Sequence, residues 1–233
     1  MTIFPTRGTE GDSGDLCFED VNGDGEITAD DRTNLGNPIP DYIFGMSASV
    51  QYAGFDLVVD FNGQTGKEIF NAKKAARFGA YNYETSYLDR WTGEGTSNFE
   101  PRVTNSGHNY IPSDRFIEDG SYVRLRNLQF GYTLPNTLLE SLNMRNVRIY
   151  VSATNLITWT DYSGYTPEIV NLKVVDTGNQ VGDPFSAGID RGVYPIAKVY
   201  NIGLNLSGQF IFEQILYYFS VSLTIGGHER KGS

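Results

Sequence analysis

The densest set of chemically capable side chains is the run Asp20-Val21-Asn22-Gly23-Asp24-Gly25-Glu26-Ile27-Thr28-Ala29-Asp30-Asp31. Oxygen-bearing side chains stand at its first, third and fifth positions (Asp20, Asn22, Asp24). Gly25 at the sixth permits a tight bend, Glu26 at the seventh can offer its backbone carbonyl, and Asp31 stands at the twelfth. This spacing wraps alternate oxygens around one hard cation, as an EF-hand loop does. With no cation, so many carboxylates in twelve residues repel one another. The pattern therefore predicts a structural calcium ion held by Asp20, Asn22, Asp24, Glu26 and Asp31. Asp in place of the longer Glu at position twelve predicts modest affinity. No amphipathic helix precedes Asp20 and no second loop accompanies it, so a stabilising ion is expected rather than a sensor. The alternative is an acidic turn that binds no metal.

Other candidate chemistry is sparse. Asp114, Glu118 and Asp119 could form a paired-carboxylate site, though a solvated loop explains them more simply. Gly63-Gln64-Thr65-Gly66-Lys67 lacks the spacing, and the Ser or Thr after Lys, of a phosphate loop. Cys17 is the single cysteine, which excludes an internal disulfide framework and a cysteine-rich zinc site. His108 and His228 are far apart. No nucleophile, base and orienting group stand together, so the expectation is no enzyme and no catalytic residue. Tyr81, Tyr83, Tyr87, Trp91, Phe99 and Tyr110 could stack on sugar rings or serve ordinary loop packing.

The chain has 233 residues and a net charge of −10. Ten acids against two arginines fall in residues 1–41, so the acidity is local. An acidic protein of this kind is a poor match for nucleic-acid phosphates. Aromatic residues make up 13% and glycines number 26, a mixture suited to strands and turns. The first ten residues lack the basic start and apolar run of a signal peptide. No stretch of 18 apolar residues exists to span a membrane as a helix, which leaves membrane strands open.

Five segments alternate with period two: Tyr42–Tyr52, Phe55–Asn62, about 121–132, 147–158 and 198–207. Ala53-Gly54 makes the first two a hairpin. In the third, Val123 and Leu125 fall on the opposite parity from Leu128, Phe130 and Tyr132. A one-residue bulge near Arg126–Asn127 would restore a single apolar face. The connections alternate strictly between short and long, with long ones of 58 and 39 residues after Asn62 and Thr158. Outer-membrane barrels are built this way, with tight turns at one end and elaborate loops at the other. One face is apolar throughout; the other carries Asp56, Asp60, Arg148, Asn201 and Asn205, as a wet lumen would. Trp159 and Tyr162 are then expected at the outer rim, and Tyr52, Phe55 and Tyr132 at the inner rim. A soluble β-sandwich could carry the same alternation; the loop asymmetry favours the membrane reading.

A family resemblance runs in order from Gly14 to Ser207. It is carried by Gly14-Asp15-Leu16, the Asp20–Asp31 loop, Leu35-Gly36-Asn37-Pro38, Gly54-Phe55-Asp56-Leu57 and Arg90-Trp91. It continues through Asp119-Gly120-Ser121-Tyr122-Val123-Arg124-Leu125-Arg126-Asn127, Gly131-Tyr132-Thr133-Leu134-Pro135 and Tyr150-Val151-Ser152-Ala153-Thr154-Asn155-Leu156. Gly164-Tyr165-Thr166-Pro167-Glu168 and Tyr194-Pro195 complete it. These residues resemble the C-terminal part of SusC/RagA-type TonB-dependent outer-membrane transporters. The resemblance implies an all-β, antiparallel up-and-down segment of a barrel of about 22 strands with a plug inside. It also implies import of glycans or peptides across the outer membrane of Bacteroidetes-like bacteria, with a SusD-like surface lipoprotein as lid and the TonB–ExbB–ExbD complex supplying energy. Residues 1–41 are then an acidic extracellular loop, 42–207 the barrel portion with about five strands, and 208–233 an atypical tail in which Phe219–Ile225 could add a strand. With no plug or TonB-contacting segment recognised, a fragment is expected, unable to close a barrel alone and prone to aggregate. The competing reading is a soluble calcium-stabilised β module that binds carbohydrate or protein.

Overall fold

The computed structural model describes residues 2–3, 6–9, 14–75, 85–104, 107–141, 144–169, 172–174, 180–182, 186–212 and 215–229. Tyr81 and Tyr83 lie outside them. The described chain divides into two compact units, one of which is a six-stranded sheet and the other an assembly of the long connections.

The sheet comprises β1 (Tyr42–Tyr52), β2 (Phe55–Thr65), β3 (Tyr122–Thr133), β4 (Met144–Trp159), β5 (Lys198–Phe212) and β6 (Ile215–Glu229). Its spatial order, β6-β5-β4-β3-β2-β1, is the sequence order, an up-and-down meander. The turn between β1 and β2 is Ala53-Gly54, both at positive φ (49° and 86°), the geometry of the two-residue hairpin that matches strand twist. A Cβ on Gly54 would come 2.7 Å from the Thr133 carbonyl oxygen, so glycine is required there by space as well as by φ. By register, Gln64 faces Tyr122 and Trp159 faces Val123, so the long connections leave the sheet at one end and the tight turn closes the other.

Period two accounts for this arrangement except in β3. There Asp60 pairs with Asn127 but Phe61 pairs with Leu125, which makes Arg126 an extra residue, the expected bulge. Across the next ladder Thr154 pairs with Asn127 and Ile157 with Leu125, so Asn155 and Leu156 oppose Arg126. Asn155 absorbs the irregularity at φ 55° and its amide donates to the Ala197 carbonyl at 3.2 Å. The fifth strand does not stop at Ser207: it runs to Phe212, and a sixth strand follows. Six strands therefore replace the five expected, the sixth containing the alternating stretch Phe219–Ile225.

The other unit consists of Met1–Asp41, Thr65–Ser121 and Asp161–Tyr194. Short antiparallel pairs tie it together: Thr6–Thr9 with Leu16–Phe18, Thr2–Ile3 with Thr33–Asn34, and Glu68–Phe70 with Ile117–Asp119. Leu16, Phe18, Ile69, Phe70, Phe116 and Tyr162 form its buried interior, with Phe70 and Phe116 meeting edge to face at 6.1 Å. Long connections survive as ordered structure because this small core removes apolar surface from water.

Candidate functional site

The sheet sorts its side chains by chemistry. Register places Phe55, Leu57, Val59 and Phe61 of β2 opposite Tyr132, Phe130, Leu128 and Leu125 of β3. The row continues through Ile149, Val151, Ala153 and Ile157 of β4 to Leu204, Ile202 and Tyr200 of β5. Four strands thus present one apolar surface, and much of it is bare: Phe130 is 47% exposed, Ile149 48%, Val151 47% and Ile202 61%, while Leu125 beside the bulge is buried. At the tight-turn end Phe55 lies between Tyr132 and Phe130, with ring centroids 4.4 and 5.7 Å away. Trp159 and Phe61, 6.5 Å apart, stand toward the other end. Tyr162 departs from its expected place in a rim. It is buried in the assembly of long connections, and its hydroxyl donates to Asp190 at 2.5 Å.

The opposite face is polar and cross-linked by its own side chains, with the buried Asn62 Oδ1 left without a partner among the described residues. Arg148 donates to both Asp56 oxygens, at 2.9 and 2.6 Å, and lies 4.9 Å from the centroid of the Tyr150 ring. Asn127 donates to Asp60 at 3.0 Å, and Asn201 to Ser152 at 3.4 Å. The ion pair rests on Gly131 and the Tyr150 ring on Gly203, positions where a Cβ would collide with them. Asp56, Asp60, Arg148 and Asn201 stand on this face as the alternation predicts. The glycine seats went unnoticed, because only the register links Gly203 to Tyr150.

In the unit of long connections, the acidic run folds on its own backbone. Asp20 accepts from Gly23 and Gly25 at 2.7 and 2.8 Å, Asn22 from Asp24 at 2.9 Å, and Asp24 from Glu26 at 2.8 Å. Asp31 is fully buried and accepts from Val21 at 2.9 Å and Thr28 at 2.6 Å. The Thr28 hydrogen bond is the largest of the effects that hold the Asp31 carboxyl below the usual carboxylate range. Glu26 is exposed. Asp20, Asn22, Asp24 and Asp31 thus share one turn, yet among the described residues no three His, Cys, Asp or Glu side chains gather as a metal-ligand group.

The carboxylates considered as a pair each turn to partners of their own. Asp114 accepts from the Thr6 amide at 3.0 Å, and Asp119 accepts from the Ser121 amide at 2.8 Å. Glu118 is engaged rather than solvated: it accepts from Lys74 at 2.8 Å, Asn71 at 3.0 Å, and the Ser163 amide and hydroxyl at 2.8 and 2.9 Å. Burial pushes its carboxyl up, but the hydrogen bonds from Lys74 and Ser163 outweigh that and leave it below its ordinary value. Burial pushes the Lys67 ammonium down; its Nζ donates to the Pro167 carbonyl at 2.7 Å. Asp15 makes a two-pronged pair with Arg102, and Asn109 bridges it to the Leu16 amide. Trp91 lies against Gly14, and the Tyr110 hydroxyl donates to the Thr104 carbonyl at 3.0 Å, so these two aromatics serve packing. Phe99 is 75% exposed under the Arg115 guanidinium. It borders a cavity of about 170 Å³ together with Tyr87, Ser86, Lys74, Glu100 and Glu118.

No family model matches the chain. It is 36% identical over 202 residues to TonB-dependent receptor P3 of Formosa agariphila, covering 86% of this chain and 20% of that protein. It is 31% identical over 198 residues to TonB-dependent receptor P26 of the same organism, and 27% identical over 195 residues to TonB-dependent receptor SusC of Bacteroides thetaiotaomicron. These cover 83% and 81% of this chain, and 20% and 17% of the relatives. Among solved structures, the RagAB peptide importer in its open-open state superposes with a TM-score of 0.69 at 24% identity. That match covers 88% of this chain and 22% of the solved one, and it speaks to the fold. The chain spans about a fifth of the length of the relatives it matches. With a meander sheet largely bare on its apolar side, the chain is similar, over most of its length, to a barrel segment of the SusC/RagA-type TonB-dependent receptors.

Proposed function

We propose that this chain forms part of the wall of an outer-membrane importer, with the apolar face of β2–β5 against lipid and the Asp56–Arg148–Tyr150 face toward a wet lumen. The observation that carries the reading is the largely bare four-strand apolar surface backed by a polar face cross-linked by its own side chains. A water-soluble sheet of this size buries its apolar face and hydrates its polar face. The relatives are named as TonB-dependent receptors, which supports a non-enzymatic role. In the intact importer a SusD-like surface lipoprotein lids the mouth and TonB supplies energy, and the cargo is an oligosaccharide or peptide. The two tryptophans make a test. With Trp91→Phe leaving Trp159 as the reporter, acyl-brominated lipids should quench emission after reconstitution into vesicles. With Trp159→Phe leaving Trp91, they should not. Equal quenching of both, or of neither, overturns the wall reading.

The same proposal extends to calcium in the Asp20–Asp31 loop. Its donors are all oxygen, the type a hard cation takes, and each carboxylate oxygen that accepts one N–H retains a further lone pair. Asp20, Asn22, Asp24, Asp31 and the Glu26 carbonyl would hold the ion and relieve repulsion within the turn. Calorimetric titration of the chain with calcium should give binding heat that Asp24→Ala loses; identical heats from both proteins would remove the ion from the account.

A further inference from the structure

The cavity beside Phe99 has a composition that none of the functions above uses. It lies within residues 65–121, lined on three sequence stretches by Lys74, by Ser86 and Tyr87, and by residues between Phe99 and Glu118. Two features define what it can hold. Its volume of about 170 Å³ is well under that of a drug-sized pocket, which suits one monomer unit of a larger molecule. Its charges are already matched: Lys74 with Glu118 at 2.8 Å, and Arg115 with Glu100. A charged ligand would have to break one of these pairs and leave its partner poorly compensated in a half-buried site, a costly exchange.

A neutral polyhydroxylated ligand has no such conflict. Lys74 gives Glu118 one of its three N–H donors and retains two. Glu100 meets Arg115 through one oxygen and retains the other as an acceptor. The Ser86 hydroxyl makes no hydrogen bond among the described residues and can both donate and accept. Phe99 and Tyr87 supply ring faces of the kind that receives the C–H bonds of an apolar ring surface. Hydrogen-bonding groups of both signs beside aromatic rings, with no net charge, match a pyranose.

We propose that this cavity is a subsite for one neutral sugar ring of an oligosaccharide. The inference deepens the importer reading and rests on it only for the side from which the sugar arrives. The chain refolded into detergent micelles, with its near-UV circular dichroism as the check on packing, is applied to an array. The array carries maltotriose, cellotriose, mannotriose, sulfated and uronic-acid oligosaccharides, and trialanine. Retention of at least one neutral trisaccharide in preference to the acidic sugars and the peptide is the expected result. Phe99→Ala, at an exposed ring, should weaken it between about two- and tenfold. Ser86→Ala should weaken it by a similar factor through loss of a hydrogen bond. Leu88→Ala, 77% exposed and outside the cavity, should leave it unchanged. Preference for acidic sugars or peptide, no retention by a folded chain, or indifference to both Phe99→Ala and Ser86→Ala overturns the proposal. A chain quenched by brominated lipid yet blind to neutral sugars loses the subsite alone. One that retains neutral sugars without touching lipid loses the wall reading alone.

Discussion

At the scale of single residues, the unit of long connections depends on polar groups that local pattern does not announce. Glu118 receives four hydrogen bonds from three residues on two other segments, and its nearest sequence partner among them is 44 positions away. Its folded-state pKa lies below the ordinary glutamate value of about 4.3. A depressed carboxyl contributes stability that is present above that ordinary value and is lost as pH falls through the folded one. Glu118→Gln keeps the shape but deprives Lys74 of its counter-charge, and should cost about 1–3 kcal/mol at pH 7. The difference between the two proteins should close on acidification below about pH 4. Near-UV circular dichroism melts across pH read this directly, and a constant difference down to the acid limit would show that the charge of Glu118 is not what matters. The same distance in sequence explains why the Asp114, Glu118 and Asp119 grouping failed: neighbours along the chain turned to different partners. In the Asp20–Asp31 run the hydrogen bonds close within eleven positions, so its turn, as distinct from the proposed ion, follows from local sequence.

At the scale of elements, the sheet was readable because side chains of a strand alternate, so a buried or lipid-facing stripe writes itself into the sequence. Tyr42–Tyr52 begins and ends where the alternation does. The bulge was readable for the same reason, as a parity fault between Leu125 and Leu128. What escaped were strand ends, since Met144-Arg145-Asn146 and Gly63-Gln64-Thr65 extend the ladder through polar residues. Asn155 escaped too, because its left-handed φ answers a bulge on a neighbouring strand. Arg126 offers a test. Deleting it places Leu125 directly before Asn127, so Val123 and Leu125 keep the face of Leu128 and the pairing with β2 becomes even. With no apolar side chain turned over, the deletion should cost no more than about 3 kcal/mol, from the lost fit to Asn155 and Leu156 on β4. Arg126→Ala, which keeps the residue count and alters an exposed side chain, should stay within about 0.5 kcal/mol. Urea unfolding of both in detergent micelles measures the contrast. A loss well beyond that limit for the deletion would mean that the bulge itself holds the register.

At the scale of the molecule, the decisive matter is which face of the sheet avoids water. On the lipid-wall reading the two faces respond oppositely to one added charge. Val151 and Ser152 are neighbours in β4 with side chains on opposite faces: Val151 pairs with Phe130 and Ile202, Ser152 with Gln129 and Asn201. Both lie near the middle of their strand, so depth in a bilayer is nearly the same for each. Arginine facing hydrocarbon at the midplane costs about 2–4 kcal/mol, while arginine facing a wet lumen is solvated. Val151→Arg should therefore cut the fraction of chain that resists protease after reconstitution into vesicles by an order of magnitude or more, and Ser152→Arg should leave most of it. If the apolar face instead met water, Val151→Arg would be harmless or improve solubility, and Ser152→Arg would crowd the Arg148–Asp56 pair. The two readings thus predict opposite rankings of adjacent substitutions. The ranking is independent of absolute yield because both variants add the same side chain to the same strand.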